Sequence, residues 1–325
     1  MRIAVVLALV ACGDNRTVVS DTAEPDGAPT DTPAAPAAPN RTVFVVTMEN
    51  KPPNAIYGND FYAPYINELM ATTAAYATNF GDVLPALPSE PHYVWMEAGT
   101  NVFPDRTFAG NRDPDAVNST ASTAHLVNQL EAAGIAWRSY QEDMIAGTCP
   151  IVMEGFYVPK HNPFVFFQDV SGSPPVATSA RCIEHHAPYS ELAADLAAGR
   201  VDGYVFVTPN LCNDMHGHTS CPNGASGSGS TIVGGDTWLA KELPQMIDYA
   251  ASHDGYVFVV WDEGNEMNRM PFLAIGRDVK IGPHTMALDH SSFLKSIERL
   301  FDVPILPAVA DATDFTELFE PGAFP

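Results

Sequence analysis

The chain has 325 residues, 46% of them hydrophobic and 17% charged, which is ordinary composition for a protein with a large buried core. Its formal net charge is −23, carried almost entirely after position 40, and this argues against nucleic-acid backbones and anionic lipid surfaces as electrostatic partners. An anionic ligand would need bound metal and local donors to offset that field.

Residues 1–12 begin with one basic side chain, Arg2, and continue Ile-Ala-Val-Val-Leu-Ala-Leu-Val-Ala into Cys12. The run is too short to span a bilayer and suits the apolar part of a signal peptide. Its end, Leu9-Val10-Ala11-Cys12, resembles a bacterial lipobox. That likeness implies lipidation at Cys12, a membrane anchor and an exported lipoprotein, in the periplasm and outer membrane or at the cell surface. The alternative is a plain secretory signal in which Cys12 is incidental. Residues 13–40 are rich in Pro, Ala, Thr and Asp and read as a disordered linker. The folded domain is expected over residues 41–325.

Residues 42–47 form an apolar run predicted to be a buried strand, leading into Met48-Glu49-Asn50. Helical spacing follows over 62–78. Ser89-Glu90-Pro91-His92-Tyr93 opens another helix, with Pro91 in the first turn, where a missing N–H costs little. A helix over 124–133 closes at Gly134 and precedes a strand over 135–140. Residues 141–186 are loop-rich. A helix over 189–198, ended by Gly199, leads to a strand at 204–207. Residues 224–235, rich in Gly and Ser, read as a flexible connector. A helix over 237–252, strands over 256–261 and 271–275, and a helix over 291–301 complete the domain. Alternation of strand and helix predicts a mostly parallel sheet covered on both faces.

Residues 205–221 are the stretch around which the chain is organised. A buried strand stops at Pro209, and Asp214, His216 and His218 then fall between Cys212 and Cys221. Asp and His four apart, with Gly217 between them, can aim an oxygen and a nitrogen at one point, a pair suited to zinc or a similar divalent metal. The strand over 256–261 also ends in acid, Asp262-Glu263. Adjacent buried carboxylates repel unless a cation joins them, and ligands of open α/β sheets sit beyond the strand ends. Ser89, at a helix start, is a candidate nucleophile or simply an N-cap. His290 is a candidate third ligand beside Asp214 and His218. His161 and the His185-His186 pair are polar islands suited either to a phosphate pocket or to loop hydrogen bonds. With Cys12 set aside, four cysteines remain, and Cys149–Cys182 and Cys212–Cys221 are the expected disulfides, because each pair brackets one candidate functional loop. The competing role for Cys212 and Cys221 is as zinc thiolates.

Met-Glu-Asn at 48–50, Pro-Ser-Glu-Pro-His-Tyr at 88–93, Lys-His-Asn-Pro-Phe at 160–164, Thr-Pro-Asn-Leu-Cys-Asn-Asp-Met-His at 208–216, Trp-Asp-Glu-Gly at 261–264 and Asp-His-Ser-Ser-Phe-Leu at 289–294 stand in an order similar to a known family. The chain resembles the bacterial phosphoesterases of acid phosphatase and phospholipase C type, within the alkaline phosphatase superfamily. The resemblance implies a three-layer αβα sandwich around a mostly parallel mixed sheet. It implies that Ser89 attacks phosphorus, and that Glu49, Asp262 and Glu263, with Asn50, hold an activating divalent metal such as zinc, calcium or magnesium. Asn50 serves that metal or a phosphate oxygen. Asp214, His218 and His290 match the superfamily's other metal site, so one or two ions are implied. If only one is held, these three contact phosphate or the leaving group instead. Whether His216 or His218 is the functional histidine stays open. His92 stands where the family usually has an Asn that binds the phosphate oxyanion. The implied substrate is a small phosphate monoester. The rival is a phospholipid diester, with Phe103, Phe156, Phe164 and Phe166 around a choline-like head group. A non-catalytic surface binding protein is a third reading.

Overall fold

Two runs of β-branched and aromatic residues set the middle of the sheet, because such side chains pack well on a pleated, buried surface. In the computed structural model, which describes residues 41–222, 228–264 and 268–325, they become β1 (Thr42–Met48) and β7 (Tyr256–Trp261), buried along their whole length. The expected leader, Cys12 and the linker lie outside the described residues. The other strands are β2 (Ala74–Ala77), β3 (Phe80–Gly81), β4 (Trp137–Gln141), β5 (His186–Pro188), β6 (Gly203–Thr208), β8 (Arg269–Met270), β9 (Phe272–Gly276), β10 (Gly282–His284) and β11 (Leu288–Asp289). Eight of them form one sheet in the order β10-β2-β9-β7-β1-β6-β4-β5, and β11-β3-β8 form a smaller one. Within the large sheet β9 runs antiparallel to both β2 and β7, while the remaining pairs are parallel.

The register fixes the layers. Val45 of β1 pairs with Phe206 of β6 and Phe258 of β7, so those side chains share a face, and Phe44 points to the other. Phe44 meets Tyr249 of the Ser228–Ser252 helix, whereas Phe258 meets Phe293 of the His290–Leu300 helix. Helices therefore cover opposite faces, giving the expected αβα sandwich. Met48 pairs with Trp261, so Glu49 and Asp262 leave the sheet at the same edge.

Two sequence expectations are corrected. The helix expected over 62–78 spans Pro64–Thr72; the Ala-rich segment after it is β2, recruited by pairing to β9 and β10. The expected Gly-Ser connector is helical from Ser228, while its first residues lie outside the description. Its glycines give close approach rather than freedom. A Cβ on Gly235 would lie 2.4 Å from Met215 Cγ and 2.9 Å from Met48 Cε, so this helix rests directly against the end of β1 and the loop that carries Met215.

Candidate active site

Backbone pairing draws three strand ends together. Glu49 N–H donates to the Asp214 carbonyl at 2.7 Å, and Asp262 N–H donates to the Met48 carbonyl at 3.1 Å. Asn50 turns the chain with φ of 41°, a left-handed conformation that Asn tolerates better than most residues. Its backbone N–H donates to Asp262 Oδ1 at 3.1 Å. Met215 sits at φ 77°, where a non-glycine residue is strained. Lys51 Nζ donates to its carbonyl at 2.7 Å and to that of Asn50 at 3.2 Å, and His216 N–H donates to Asp214 Oδ1 at 2.7 Å. The strained turn is thus pinned from both sides.

Ser89 faces this cluster from the first turn of the Ser89–Ala98 helix. Pro88, extended at φ −81° and ψ −176°, takes the cap position, so the serine hydroxyl is not used to cap the helix. Ser89 Oγ donates instead toward Glu49 Oε2 at 3.2 Å and Glu263 Oε1 at 3.1 Å. Glu49 Oε1 accepts from Tyr93 OH at 2.7 Å, one helical turn after Ser89. One end of the Asn50 carboxamide lies 3.0 Å from Glu263 Oε1, 3.1 Å from Glu49 Oε2 and 3.0 Å from Asp262 Oδ1. With its nitrogen inward, its two N–H hydrogens are shared among the three carboxylates. With its oxygen inward, four oxygens converge, which suits a cation.

Glu49, Asp262 and Glu263 each offer an oxygen within 4.8 Å of the others, and Glu49, His161 and Asp214 form a second such group. Burial, then the neighbouring Asp262 charge, pushes the Glu49 carboxyl well above its usual range and Glu263 up to about 7. Burial pushes Asp214 up strongly too. His161 is pushed well down by burial and by Lys160, so the ring is neutral. Its Nδ1 is 3.3 Å from Asp214 Oδ2, and its Nε2 is 3.2 Å from Glu49 Oε1 without hydrogen-bond alignment. A neutral ring has one N–H for two carboxylates, and Asp214 Oδ2 is left with no hydrogen bond. Both groups therefore fit divalent cations: oxygen donors in one, mixed oxygen and nitrogen in the other.

The second group differs from the expected one. Asp214 meets His161, not His218 or His290. The His218 ring packs edge-on to Phe156 and its Nδ1 accepts from Ser220 N–H. His290 is buried, its Nε2–H donates to the Trp261 carbonyl at 2.9 Å, and burial together with His92 pushes its pKa down to about 4. His216 does reach the site: its ring is 5.9 Å from that of His161, and Nδ1–H donates to the Gly217 carbonyl at 2.9 Å, so in the neutral ring, which burial favours, Nε2 is the unprotonated nitrogen. His186 does not. Its Nδ1–H donates to the Cys182 carbonyl at 2.8 Å, its Nε2 lies 3.3 Å from Asn162 Oδ1, and the ring packs on Trp137 and Phe164.

His92 lies beside the site, yet both its nitrogens are engaged elsewhere, Nδ1 with the Pro88 carbonyl at 2.9 Å and Nε2 with Asp82 Oδ1 at 2.8 Å. It has no N–H to spare for an oxyanion. Phe103, Phe164 and Phe166 are core residues and Phe156 packs on the Cys212–Cys221 bridge, so they form no head-group cage. Both expected disulfides are present, Cys149–Cys182 and Cys212–Cys221, so the latter two are not thiolate ligands.

Tyr93, Lys51, Lys160 and Asp82 had no assigned role in the sequence. Tyr93 was within reach, since position i+4 shares the helical face of Ser89. Lys51 directly follows Glu49-Asn50. For Asp82, after a two-residue strand, no pattern was available.

The sequence profile of the Phosphoesterase family matches residues 60–304. Among characterised proteins, the chain is 29% identical over 279 residues to a phosphatidylinositol-3-phosphatase of Mycobacterium tuberculosis, covering 85% of this chain and 82% of that one. It is 27% identical to a phosphate-repressible acid phosphatase of Penicillium chrysogenum, covering 55% of this chain and 39% of the fungal protein. Among solved structures, murine ectonucleotide pyrophosphatase/phosphodiesterase 5 superposes with a TM-score of 0.56 at 12% identity, covering 86% of this chain and 100% of that one. A protein of the alkaline phosphatase superfamily from Vibrio parahaemolyticus gives 0.54 at 11% identity, covering 87% and 72%. At such identities the structures speak for the fold alone, and the fold is that of the superfamily.

Proposed function

The chain belongs to the Phosphoesterase family and is a hydrolase of phosphoester bonds, and on that premise we propose that it is an exported, metal-dependent phosphatase cleaving phosphate monoesters through a phosphoserine at Ser89. The observation that carries this is the Ser89 hydroxyl, excused from capping and held between Glu49 and Glu263 at 3.2 and 3.1 Å.

The chemistry follows from these positions. Glu49 and Glu263 draw the Ser89 O–H hydrogen, leaving an oxygen lone pair for phosphorus. As the Ser89 O–P bond forms, the ester O–P bond breaks in line, and the leaving alkoxide takes a proton from solvent water. Water then cleaves the phosphoserine, returning Ser89 and inorganic phosphate. Lys51 and Lys160 bring positive charge to the carboxylates and to the substrate. Glu49, Asn50, Asp262 and Glu263 would hold one divalent ion and Glu49, His161 and Asp214 a second. A bound ion supplies charge for the phosphoryl oxygens and a lowered serine pKa. The oxygen-rich group suits magnesium or calcium, the histidine-containing group zinc.

Residues 1–12 as a lipoprotein signal ending at Cys12, followed by a linker to residue 40, would hang the enzyme from a membrane. The diester alternative has lost its aromatic cage, which favours the monoester. The mycobacterial relative's name makes a phosphoinositide the second substrate to assay beside p-nitrophenyl phosphate. Acid quenching during turnover, then peptide mass spectrometry, should find phosphate on Ser89, and Ser89→Ala should be inactive. A fully active Ser89→Ala sinks the nucleophile assignment.

A further inference from the structure

Asp82 and His92 stand behind the nucleophile. Both are buried. His92 Nδ1 faces a carbonyl oxygen, Pro88, at 2.9 Å, and Nε2 faces a carboxylate oxygen, Asp82 Oδ1, at 2.8 Å. Only a doubly protonated ring donates to both, so the pair is an imidazolium carboxylate. Burial is the largest single influence and opposes charge on the ring, but the hydrogen bond to Asp82, the Asp262 and Asp82 charges and the Pro88 carbonyl together outweigh it and hold the histidine above its usual pKa.

Asp82 does more than pair with His92. Its Oδ1 also accepts from Leu84 N–H at 2.8 Å, and its Oδ2 accepts from Gly264 N–H at 3.3 Å. Its own N–H donates to the Asn268 carbonyl at 3.0 Å. One residue thus grips the chain just after Glu263 and again four residues later. Gly264 leaves no slack there, because a Cβ would lie 2.2 Å from the Arg269 carbonyl oxygen. The contacts close on themselves: Ser89 hydroxyl to Glu263, Glu263 through Gly264 to Asp82, Asp82 to His92, and His92 back to Pro88, the residue before Ser89.

We propose that Asp82 and His92 form a buried charged brace that fixes Glu263 against the Ser89 hydroxyl, acting as positioning residues for phosphoryl transfer. The proposal rests on Ser89 being the nucleophile. A misplacement of about 1 Å at a reacting group costs roughly 100-fold in rate, so the brace is read in kcat.

The test uses the full-length protein with its native metal content and p-nitrophenyl phosphate, comparing His92→Leu, His92→Gln, Asp82→Asn and the double variant His92→Leu/Asp82→Asn. Rates are referred to the folded fraction from circular dichroism. His92→Leu and Asp82→Asn should each lower kcat by about 10- to 100-fold with KM within about threefold. The double variant should be no more than about threefold worse than the poorer single, because both cut the same link. His92→Gln, which can still donate to Asp82, should recover part of the loss. A His92→Leu with kcat within threefold of the parent, or losses that appear only in KM or only in folded fraction, overturns the brace. Should His92→Leu not fold, Asp82→Asn and His92→Gln carry the same comparison. Ser89→Ala is run alongside: activity there overturns the nucleophile assignment, whereas an inactive Ser89→Ala beside unaffected brace variants overturns the brace alone.

Discussion

Stripping the enzyme of divalent cations should load its carboxylates with protons, and restoring the cations should drive those protons off. Glu49, Asp262 and Glu263 offer oxygens within 4.8 Å of one another. At 4.8 Å and an effective dielectric of about 20, two unit charges repel by about 3.5 kcal/mol, and three such pairs by about 10 kcal/mol. That matches the whole net stability of a typical domain, roughly 5–15 kcal/mol. The three cannot all stay ionised at neutral pH without a cation among them. Glu263, pushed up to about 7, and Glu49, pushed well above its usual range, are the groups that take protons. The assay is calorimetric titration of chelator-treated protein with magnesium, zinc or calcium, at pH 7 in two buffers of different ionisation enthalpy. About one proton or more should leave per cation bound, and the number should fall as the starting pH is raised. A cation that binds with the same heat in both buffers at pH 7 refutes the reasoning.

Tyr93→Phe removes the 2.7 Å donor to Glu49 Oε1 and should cost about 1–3 kcal/mol in transition-state stabilisation, measured as a fall in kcat/KM. Replacing Cys149 and Cys182 together with serine reopens a 33-residue separation and should lower urea-unfolding stability by about 3–4 kcal/mol; the Cys212–Cys221 pair, 9 apart, should give about 2.5 kcal/mol. Glu298 is buried away from the site, and burial pushes its carboxyl up to about 7. The folded state therefore prefers the protonated acid, so its stability contribution is whole below the ordinary carboxyl range and is lost as pH rises toward 7. Glu298→Gln should match the parent in thermal unfolding at pH 4 and exceed it at pH 8 by roughly 2 kcal/mol, allowing for solvent screening.

How much of this was legible depended on whether a signal was local. Glu49, Asp262 and Glu263 could be found because each follows an apolar run, and a charge placed there has few structural uses. Ser89 could be nominated from its helix start, but only Pro88 in the cap position separates nucleophile from cap. The partner of Asp214 was not readable. His218 is four residues away and His161 is fifty-three, yet the turn at Met215 and the Cys212–Cys221 bridge direct His218 toward Phe156. Proximity in sequence favours the wrong histidine whenever a bridge reorients the loop. Gly234-Gly235 misled for a related reason: glycine marks flexibility and close packing with the same letter. The antiparallel β9 left no trace in a strand-helix alternation, since direction is set by pairing.

Charge balance ties the two cation groups to one another. Glu49, Asp214, Asp262 and Glu263 bring four negative charges when ionised, and Lys51 and Lys160 bring two positive, with His92 already spent on Asp82. A phosphate monoester dianion adds two more negative charges. Neutrality within this buried space is reached by two divalent cations with every carboxylate ionised, or by one cation with two carboxyls still protonated. Glu49 belongs to both groups, its Oε2 on the Ser89 side and its Oε1 on the His161 side, so neither can fill without changing the proton affinity of the other. The two arrangements part in the proton count. A second cation must expel the protons that a single one leaves behind, so His161→Gln should lower both the number of cations bound and the total protons released, while leaving the first cation in place.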